Sequence, residues 1–171
     1  MKDEKTLYIV VPCYKEEAVL PETSKRLREK MHALMETGKV SEKSRIMFVN
    51  DGSKDKTWEI IQRLHEEDKL FSGVNLSRNR GHQNALLAGL MTAVNYADMI
   101  ISMDADLQDD VNAVDAMVDA YHNGYDVVYG VRSARKTDTD VYKRQPNMSP
   151  TVFRQIMYGY LKEPGMIARN P

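Results

Sequence analysis

Short apolar segments alternate along the chain with longer segments whose apolar residues recur at helical spacing. The short segments are rich in β-branched or aromatic residues, which is typical of buried strands. They predict five strands, over residues 7–11, 45–49, 73–76, 99–103 and 126–131. Helical spacing is found over residues 16–37, after Asp55, over 81–97 and over 111–122. This alternation predicts an α/β sandwich with a mainly parallel sheet through residue 131.

The ends of the predicted helices carry matching signals. Gly38 is a suitable stop for the first helix, and Asp55 is a suitable cap for the second. Asn123 and Gly124 end the fourth. After residue 137 the periodicity weakens and three prolines interrupt the chain, so no final strand is predicted there.

Polar and turn-forming residues cluster directly after each predicted strand. In a parallel sheet these loops emerge along one edge, where open α/β folds bind ligands. Five such loops therefore predict one shared cleft; they are residues 12–17, 50–53, 77–81, 104–110 and 130–135.

The bulk composition narrows the range of partners. The chain has 171 residues, 42% hydrophobic and 29% charged, with a formal net charge of -1. This composition is that of an ordinary globular domain, and the lack of basic excess argues against nucleic acid as a partner. Cys13 is the single cysteine, so no internal disulfide can form and a reducing compartment is expected. The first apolar run, residues 7–11, is too short for a signal peptide or a transmembrane segment.

The segment Asp104-Ala105-Asp106 follows the fourth predicted strand and is the sharpest local signal. Side chains two residues apart in extended backbone project to one side, so two carboxylates would lie together. Hard oxygen ligands suit Mg2+ or Mn2+, which leave coordination positions open for water and phosphate. The alternative is an acidic loop that stabilises the next helix N-terminus without any metal.

Two other loops carry candidate ligand-binding residues, each with a plainer alternative. Asp51 could accept hydrogen bonds from a nucleobase, with Gly52 allowing close approach, or the segment could simply be a strand-to-helix turn. Arg78 and Arg80, beside a predicted helix N-terminus, suit a phosphate group or form a solvated basic loop.

The motifs that follow the strands, taken in order, resemble those of family 2 glycosyltransferases. They are Val10-Val11-Pro12-Cys13-Tyr14-Lys15-Glu16-Glu17, Val49-Asn50-Asp51-Gly52-Ser53, Ser77-Arg78-Asn79-Arg80-Gly81, Asp104-Ala105-Asp106-Leu107-Gln108-Asp109 and Tyr129-Gly130-Val131-Arg132-Ser133. The closest branch is the polyprenyl-phosphate glycosyltransferases, of the bactoprenol glucosyltransferase and dolichyl-phosphate mannose synthase type. Two positions depart from the family pattern: Lys15 stands where asparagine is frequent, and Asp110-Val111 replaces paired prolines.

This resemblance implies a GT-A fold, a Rossmann-like αβα sandwich, and assigns roles to the matching residues. Asp104 and Asp106 would hold the metal and act at the reaction centre, where Gln108 and Asp109 would border the sugar and the acceptor. Arg132 and Arg135 would meet the phosphates of the donor or the acceptor. The remaining matching residues would bind the UDP-sugar; they are Pro12, Tyr14, Glu16, Asp51, Ser53, Arg78 and Gly81.

The implied reaction is the inverting, metal-dependent transfer of a sugar, expected to be glucose, from UDP to a polyprenyl phosphate. The implied location is the cytoplasm, at the inner face of the cytoplasmic membrane. The resemblance covers residues 5–139, so we expect a nucleotide-sugar-binding core over 1–139 and a divergent tail over 140–171. The acceptor-binding segment and the membrane helices of that branch are then expected to be lacking, as in a C-terminally truncated chain.

Two other functional classes stay open at the level of sequence. The chain could be a catalytically inactive module that binds nucleotide sugars or a protein partner. It could also be a nucleotidyltransferase, although the glycine-rich, basic triphosphate loop of that class is not found near residue 12. The sequence leaves the oligomeric state open, including a homo-oligomer.

Overall fold

The computed structural model describes residues 4–106 and 108–128, together with the strand backbone of 130–131 and 152–153. Four strands form a parallel sheet in the order β3-β2-β1-β4. They are β1 (Leu7–Cys13), β2 (Arg45–Asn50), β3 (Phe71–Asn75) and β4 (Met99–Ser102). All four correspond to predicted strands, and the predicted α/β sandwich is confirmed.

Four helices connect and follow these strands: α1 (Leu20–Glu36), α2 (Thr57–Glu67), α3 (His82–Ala93) and α4 (Ala113–His122). Helices α1, α2 and α4 share one apolar core with alternate residues of the sheet, such as Ile9 and Phe48. Helix α3 packs on the opposite face, against Val10 and Val49. The successive residues of β1 therefore point into two different cores, as the period of a strand requires.

Helix α3 lies unusually close to the sheet because of Gly89. A Cβ atom at this position would lie 2.5 Å from Val10 Cγ1 and 2.7 Å from Val49 Cγ2. Glycine thus permits a close approach of helix and sheet that alanine would prevent.

The order in which strands are added to the sheet reverses between β1 and β4. The chain runs outward from β1 to β3 with α1 and α2 on one face, and then α3 returns it to β4 beside β1. This point of reversal, at the carboxyl ends of β1 and β4, is where open α/β sheets bind ligands. The loops after β1 and β4 meet there.

The helix boundaries correct the sequence interpretation for all four helices. Helix α3 ends at Ala93 rather than residue 97, and α4 begins at Ala113 rather than residue 111. Helix α1 begins at Leu20 rather than residue 16, since Glu16 starts a separate turn whose carbonyl accepts from Val19 N. Lys56, rather than Asp55, precedes the first helical residue of α2, although Asp55 Oδ1 still accepts from Thr57 N at 3.2 Å. The predicted stop at Gly38 is confirmed: its φ is +66° and its N–H donates to Met35 O.

The prediction that residues 126–131 form a fifth strand of the parallel sheet is wrong. Residues 126–128 are not in a strand. Strand β5 (Gly130–Val131) instead pairs antiparallel with β6 (Val152–Phe153), which was not predicted. Within the part of the chain that the structure describes, no helix is long and apolar enough to cross a bilayer.

Candidate functional site

The carboxyl edge of the sheet contains an open cavity of about 300 Å³. It lies where the loops after β1, β2, β3 and β4 converge. Its lining residues are Pro12, Cys13, Tyr14, Glu16, Asp51, Asn79, Gly81, His82, Ala85, Asp104, Ala105 and Asp106. The predicted shared cleft therefore exists, and it brings Asp51 and Asp106 into one cavity.

The turn that carries Asp104 and Asp106 is fixed by hydrogen bonds on both sides. Asp109, which is buried, accepts from Asp104 N at 3.2 Å through its carboxylate. Asp106 Oδ1 accepts from Gln108 N at 3.0 Å. Between them Ala105 is buried in the main core, and its carbonyl accepts from the Thr23 hydroxyl at 2.7 Å. The two carboxylates thus project from a turn that is anchored in the protein interior.

The alternative role, an acidic side chain beside the start of the next helix, is found at Asp110 rather than at Asp104 or Asp106. Asp110 Oδ1 accepts from Asn112 N at 2.9 Å, just before α4. Asp104 and Asp106 line the cavity instead. The stabilisation of the helix start and the cavity lining are therefore divided between different carboxylates.

The buried Asp51 builds the opposite wall of the cavity. Its two carboxylate oxygens accept from Arg80 N at 2.7 Å and from Gly81 N at 2.9 Å. Gly81 has φ 88° and ψ 153°, a conformation that is essentially restricted to glycine. Asp51 thereby holds the start of α3 in a conformation that another residue would resist.

Gly52 allows this wall to form because two backbone segments meet at it. Its φ is +63°, and a Cβ atom there would lie 2.4 Å from the carbonyl carbon of Arg78. The loop after β2 therefore packs directly on the loop after β3. The close approach expected of Gly52 is made to the protein's own backbone.

The loop after β1 is fastened to the start of α2 by side-chain to backbone hydrogen bonds. Lys15 N donates to Ser53 Oγ at 3.0 Å, and Glu16 N donates to Thr57 Oγ1 at 2.9 Å. These bonds hold Lys15 at φ 59°, a positive value that residues other than glycine rarely adopt. They also place Tyr14, which is 43% exposed, beside the cavity, with Lys15 Nζ lying 5.3 Å from the centroid of its ring.

The cavity is strongly acidic. Four carboxyl groups line it, from Glu16, Asp51, Asp104 and Asp106, and no lysine or arginine among the described residues does. Burial raises the pKa of Glu16, and the neighbouring carboxylates of Asp106, Asp55 and Asp104 raise it further. An anionic ligand such as a diphosphate would be repelled from this cavity unless a cation accompanied it.

The residues present fit a divalent cation for which the protein supplies only some of the ligands. Among the described residues, no three acidic, histidine or cysteine side chains form a complete metal-binding group. Asp104 and Asp106 supply hard oxygen atoms at an open cavity, with His82 Nε2 lying 3.6 Å from Asp104 Oδ1. Mg2+ is typically held by one or two carboxylates while water and substrate phosphates complete its coordination. The donor set matches that pattern.

Cys13 also borders the cavity but is unsuited to nucleophilic chemistry. It is buried, and its thiol lies 3.3 Å from Val11 O. Burial, followed by the nearby carboxylate of Glu16, raises the pKa of the Cys13 thiol well above its ordinary value. The reactive thiolate is therefore disfavoured.

The predicted site residues divide into three groups in the structure. Seven line the cavity: Pro12, Tyr14, Glu16, Asp51, Gly81, Asp104 and Asp106. Four lie near it without lining it: Ser53 holds the loop after β1, Asp109 holds the acidic turn, and Arg78 and Gln108 are exposed. Arg132 and Arg135 lie outside the described residues. The individual binding and catalytic roles of all these residues remain predictions.

Several lining residues were not singled out from the sequence. His82 and Asn79 border the cavity because Asp51 holds the loop after β3 against it. Ala85 and Ala105 border it with small side chains, which leave room. The position of Asn79 and His82 directly around Gly81 was the available signal, but an isolated histidine has no distinctive spacing.

Known proteins similar to this chain share its family and its fold. The model of the family "Glycosyl transferase family 2" matches residues 8–169. Uncharacterized glycosyltransferase YkoT of Bacillus subtilis is 49% identical over 138 residues, which are 81% of this chain and 41% of that protein. The prophage bactoprenol glucosyl transferase homolog of Escherichia coli is 39% identical over 130 residues, 76% of this chain and 40% of that protein.

A solved structure extends the comparison to the fold. Glucosyl-3-phosphoglycerate synthase from Mycobacterium tuberculosis, in complex with Mn2+, UDP and glucosyl-3-phosphoglycerate, matches with a TM-score of 0.50 and 21% identity. The match covers 73% of this chain and 42% of that one. The GT-A fold implied by the sequence motifs is confirmed. The chain spans about two-fifths of the length of the curated relatives it matches, and it belongs to glycosyl transferase family 2.

Proposed function

We propose that this chain binds a UDP-sugar with a divalent cation, as the donor-binding part of a glycosyltransferase that acts on a polyprenyl phosphate. The observation that carries the proposal is the convergence of Asp51, Asp104 and Asp106 on one cavity at the point where the sheet order reverses. Tyr14 offers an exposed ring for stacking on a base at the same place. The M. tuberculosis synthase, which shares the fold, was solved with UDP and Mn2+ and so supports both ligand classes.

The acidic lining explains why a cation would be needed. In this mechanism Asp106 and Asp104 would hold the cation, which would offset the negative charge of the donor diphosphate. When bound, the cation supplies neutralisation of the negative charge that develops on the departing diphosphate. Asp109 and Asp51 keep the two walls of the cavity in place throughout, since their carboxylates are bonded to backbone N–H groups.

The proposed acceptor is supported by its chemistry and by the names of relatives. A phosphate monoester has a second pKa of about 6, so it is already mostly ionised at neutral pH and can attack without a dedicated general base. The E. coli relative is named for bactoprenol, which agrees with a polyprenyl phosphate acceptor. We propose that transfer inverts the anomeric centre and occurs at the inner face of the cytoplasmic membrane.

Donor binding is tested by titrating the chain with UDP and with UDP-glucose in a calorimeter, in Mn2+ and in EDTA. We expect binding in Mn2+ to be at least tenfold tighter than in EDTA. Asp106→Asn should remove most of this gain, because it removes a charged ligand of the cation. Asp110→Asn is the matched control: this acid lies in the same loop but does not line the cavity, and asparagine retains its Oδ1 acceptor. Equal UDP binding with and without metal would contradict the proposal.

Transfer is tested separately, with labelled UDP-glucose and undecaprenyl phosphate in detergent. A chain active in transfer forms a labelled lipid and releases UDP. Metal-dependent UDP binding without any lipid product would show that this chain binds the donor but does not by itself carry out transfer.

A further inference from the structure

The turn between Asp104 and Asp106 has one contact that the donor-binding role does not explain. The Thr23 hydroxyl, from the first half of α1, lies 2.7 Å from the carbonyl oxygen of Ala105. Thr23 and Ala105 are both buried, and 82 residues separate them in the chain. The contact therefore joins α1 to the peptide unit between the two cavity-lining carboxylates.

A threonine in a helix usually bonds to the carbonyl four residues earlier, so this plainer role must be compared. Thr23 Oγ1 does lie 3.2 Å from Val19 O. A hydroxyl has one proton to donate, however, and the Ala105 carbonyl is closer by half an ångström. The geometry favours Ala105 as the main acceptor.

A hydroxyl group at Thr23 is unexpected because its surroundings are mostly apolar. The buried face of α1 around it is mostly apolar, with Leu20 and Leu27 on either side. Valine would fill nearly the same volume there without burying a polar group. A buried hydroxyl is stabilising only where an acceptor is present, and Ala105 O provides one.

We propose that Thr23 is a positioning residue, which fixes the Ala105 peptide so that Asp104 and Asp106 stay aimed at one cation site. The proposal rests on the proposed function. Like charges at this spacing repel each other, so without an anchor the turn would spread before the cation bound. Preorganising the turn removes that cost from the binding step. Thr23 does not line the cavity, so it would act only through the turn.

The test is the metal-dependent part of UDP binding by the whole 171-residue chain. Thr23→Val keeps the shape and removes the hydroxyl. We expect it to weaken UDP binding in Mn2+ by about fivefold, the effect of about one net hydrogen bond. Binding in EDTA should change by less than about twofold. Thr23→Ser, which restores the donor, should recover most of the Mn2+ affinity.

Controls separate positioning from general stability. Thr92→Val removes a similar hydroxyl that bonds Ala88 O within α3, away from the cavity, and should leave both affinities unchanged. Thermal unfolding of each variant reports stability independently. If Thr23→Val does not fold, Thr23→Ala removes the same donor without placing a methyl group against the Ala105 carbonyl, and the comparison is made with it.

The outcomes distinguish this inference from the function on which it rests. A wild-type chain without any metal-dependent gain would overturn both. A wild-type gain that Thr23→Val retains, or an equal loss in Mn2+ and EDTA, would overturn the positioning role alone. Failure of serine to restore the Mn2+ affinity would also overturn it.

Discussion

Lys15 occupies a backbone conformation that costs free energy and lies next to the cavity. Its φ of 59° is in the left-handed region, which costs a residue with a side chain about 1 kcal/mol, whereas asparagine tolerates it better. Lys15→Asn should therefore raise the free energy of unfolding by about 0.5–1 kcal/mol, as measured by urea denaturation. The family resemblance, which has asparagine frequently at this position, agrees with that expectation.

Lys54→Asn is the matched control for Lys15, since this lysine is also exposed and has no positive φ. It should leave the urea midpoint nearly unchanged. Equal gains from both substitutions would mean that loss of positive charge, rather than backbone strain, stabilises the variant.

Glu16 should make the metal-free protein less stable as pH rises. Burial and three neighbouring carboxylates raise its pKa in the folded state, so the folded chain binds this proton more tightly than the unfolded chain. Stability is then lost as the pH rises from the ordinary glutamate pKa, about 4.3, to the raised pKa of the folded state. In EDTA, Glu16→Gln should raise the melting temperature relative to wild type at pH 7 and do so much less at pH 4.

Glu22 provides a comparison of opposite sign. A hydrogen bond from Arg26 Nε at 2.8 Å lowers its pKa, so its ionised form is favoured in the folded chain. Glu22→Gln should therefore give a small loss at pH 7 that disappears at low pH. If Glu16→Gln behaved in the same way, the carboxylates around Glu16 would not be repelling it.

The sequence was enough to identify several residues of the cavity, but it did not show which groups they would contact. Asp104 and Asp106 were found because two carboxylates after an apolar strand are a local pattern. Asp51 was found by its turn, but its partners, the N–H groups of Arg80 and Gly81, lie about thirty residues further along the chain. No local pattern reveals such a bond, since it depends on how two loops meet in space.

At the scale of elements, apolar runs gave correct strands wherever both faces of the strand are buried. All of β4 is buried, and so is all of β1 except Tyr8. The prediction failed at residues 126–131, where a similar apolar run does not join the parallel sheet. The pairing of β5 is with β6, and such a distant partner cannot be read from the composition of either segment.

The contact of α3 with the sheet gives a prediction at this scale. Gly89→Ala increases helix propensity by about 1 kcal/mol, yet its Cβ would overlap Val10 and Val49. We expect overpacking to outweigh propensity and to destabilise the chain by about 1–3 kcal/mol in urea denaturation.

Space for the new methyl group can be restored to test this explanation. Val10→Ala removes one of the two overlapping side chains, so Gly89→Ala should cost less in that background than in wild type. Strictly additive effects of the two substitutions would show that the helix-to-sheet contact is not the cause.

At the scale of the whole molecule, the site is a property of the topology rather than of any one loop. The parallel arrangement sends the ends of four strands to one edge, and the reversal between β1 and β4 opens a crevice there. A second cavity of about 410 Å³ lies at the opposite edge, lined by His32, Arg45 and Lys69 among others. It has no part in the proposed function.

This arrangement predicts which parts of the chain a ligand protects. Bound UDP and Mn2+ should slow hydrogen exchange together in peptides from the loops after β1, β2, β3 and β4, because all four line one cavity. Peptides around His32 and Lys69 should exchange at the same rate with and without ligand, apart from any global stabilisation. Mass spectrometry of the exchanged chain measures both sets in one experiment. Protection confined to the loop after β4 would mean that the cation binds without the nucleoside reaching Asp51 and Tyr14, and the shared cavity would then not be the donor site.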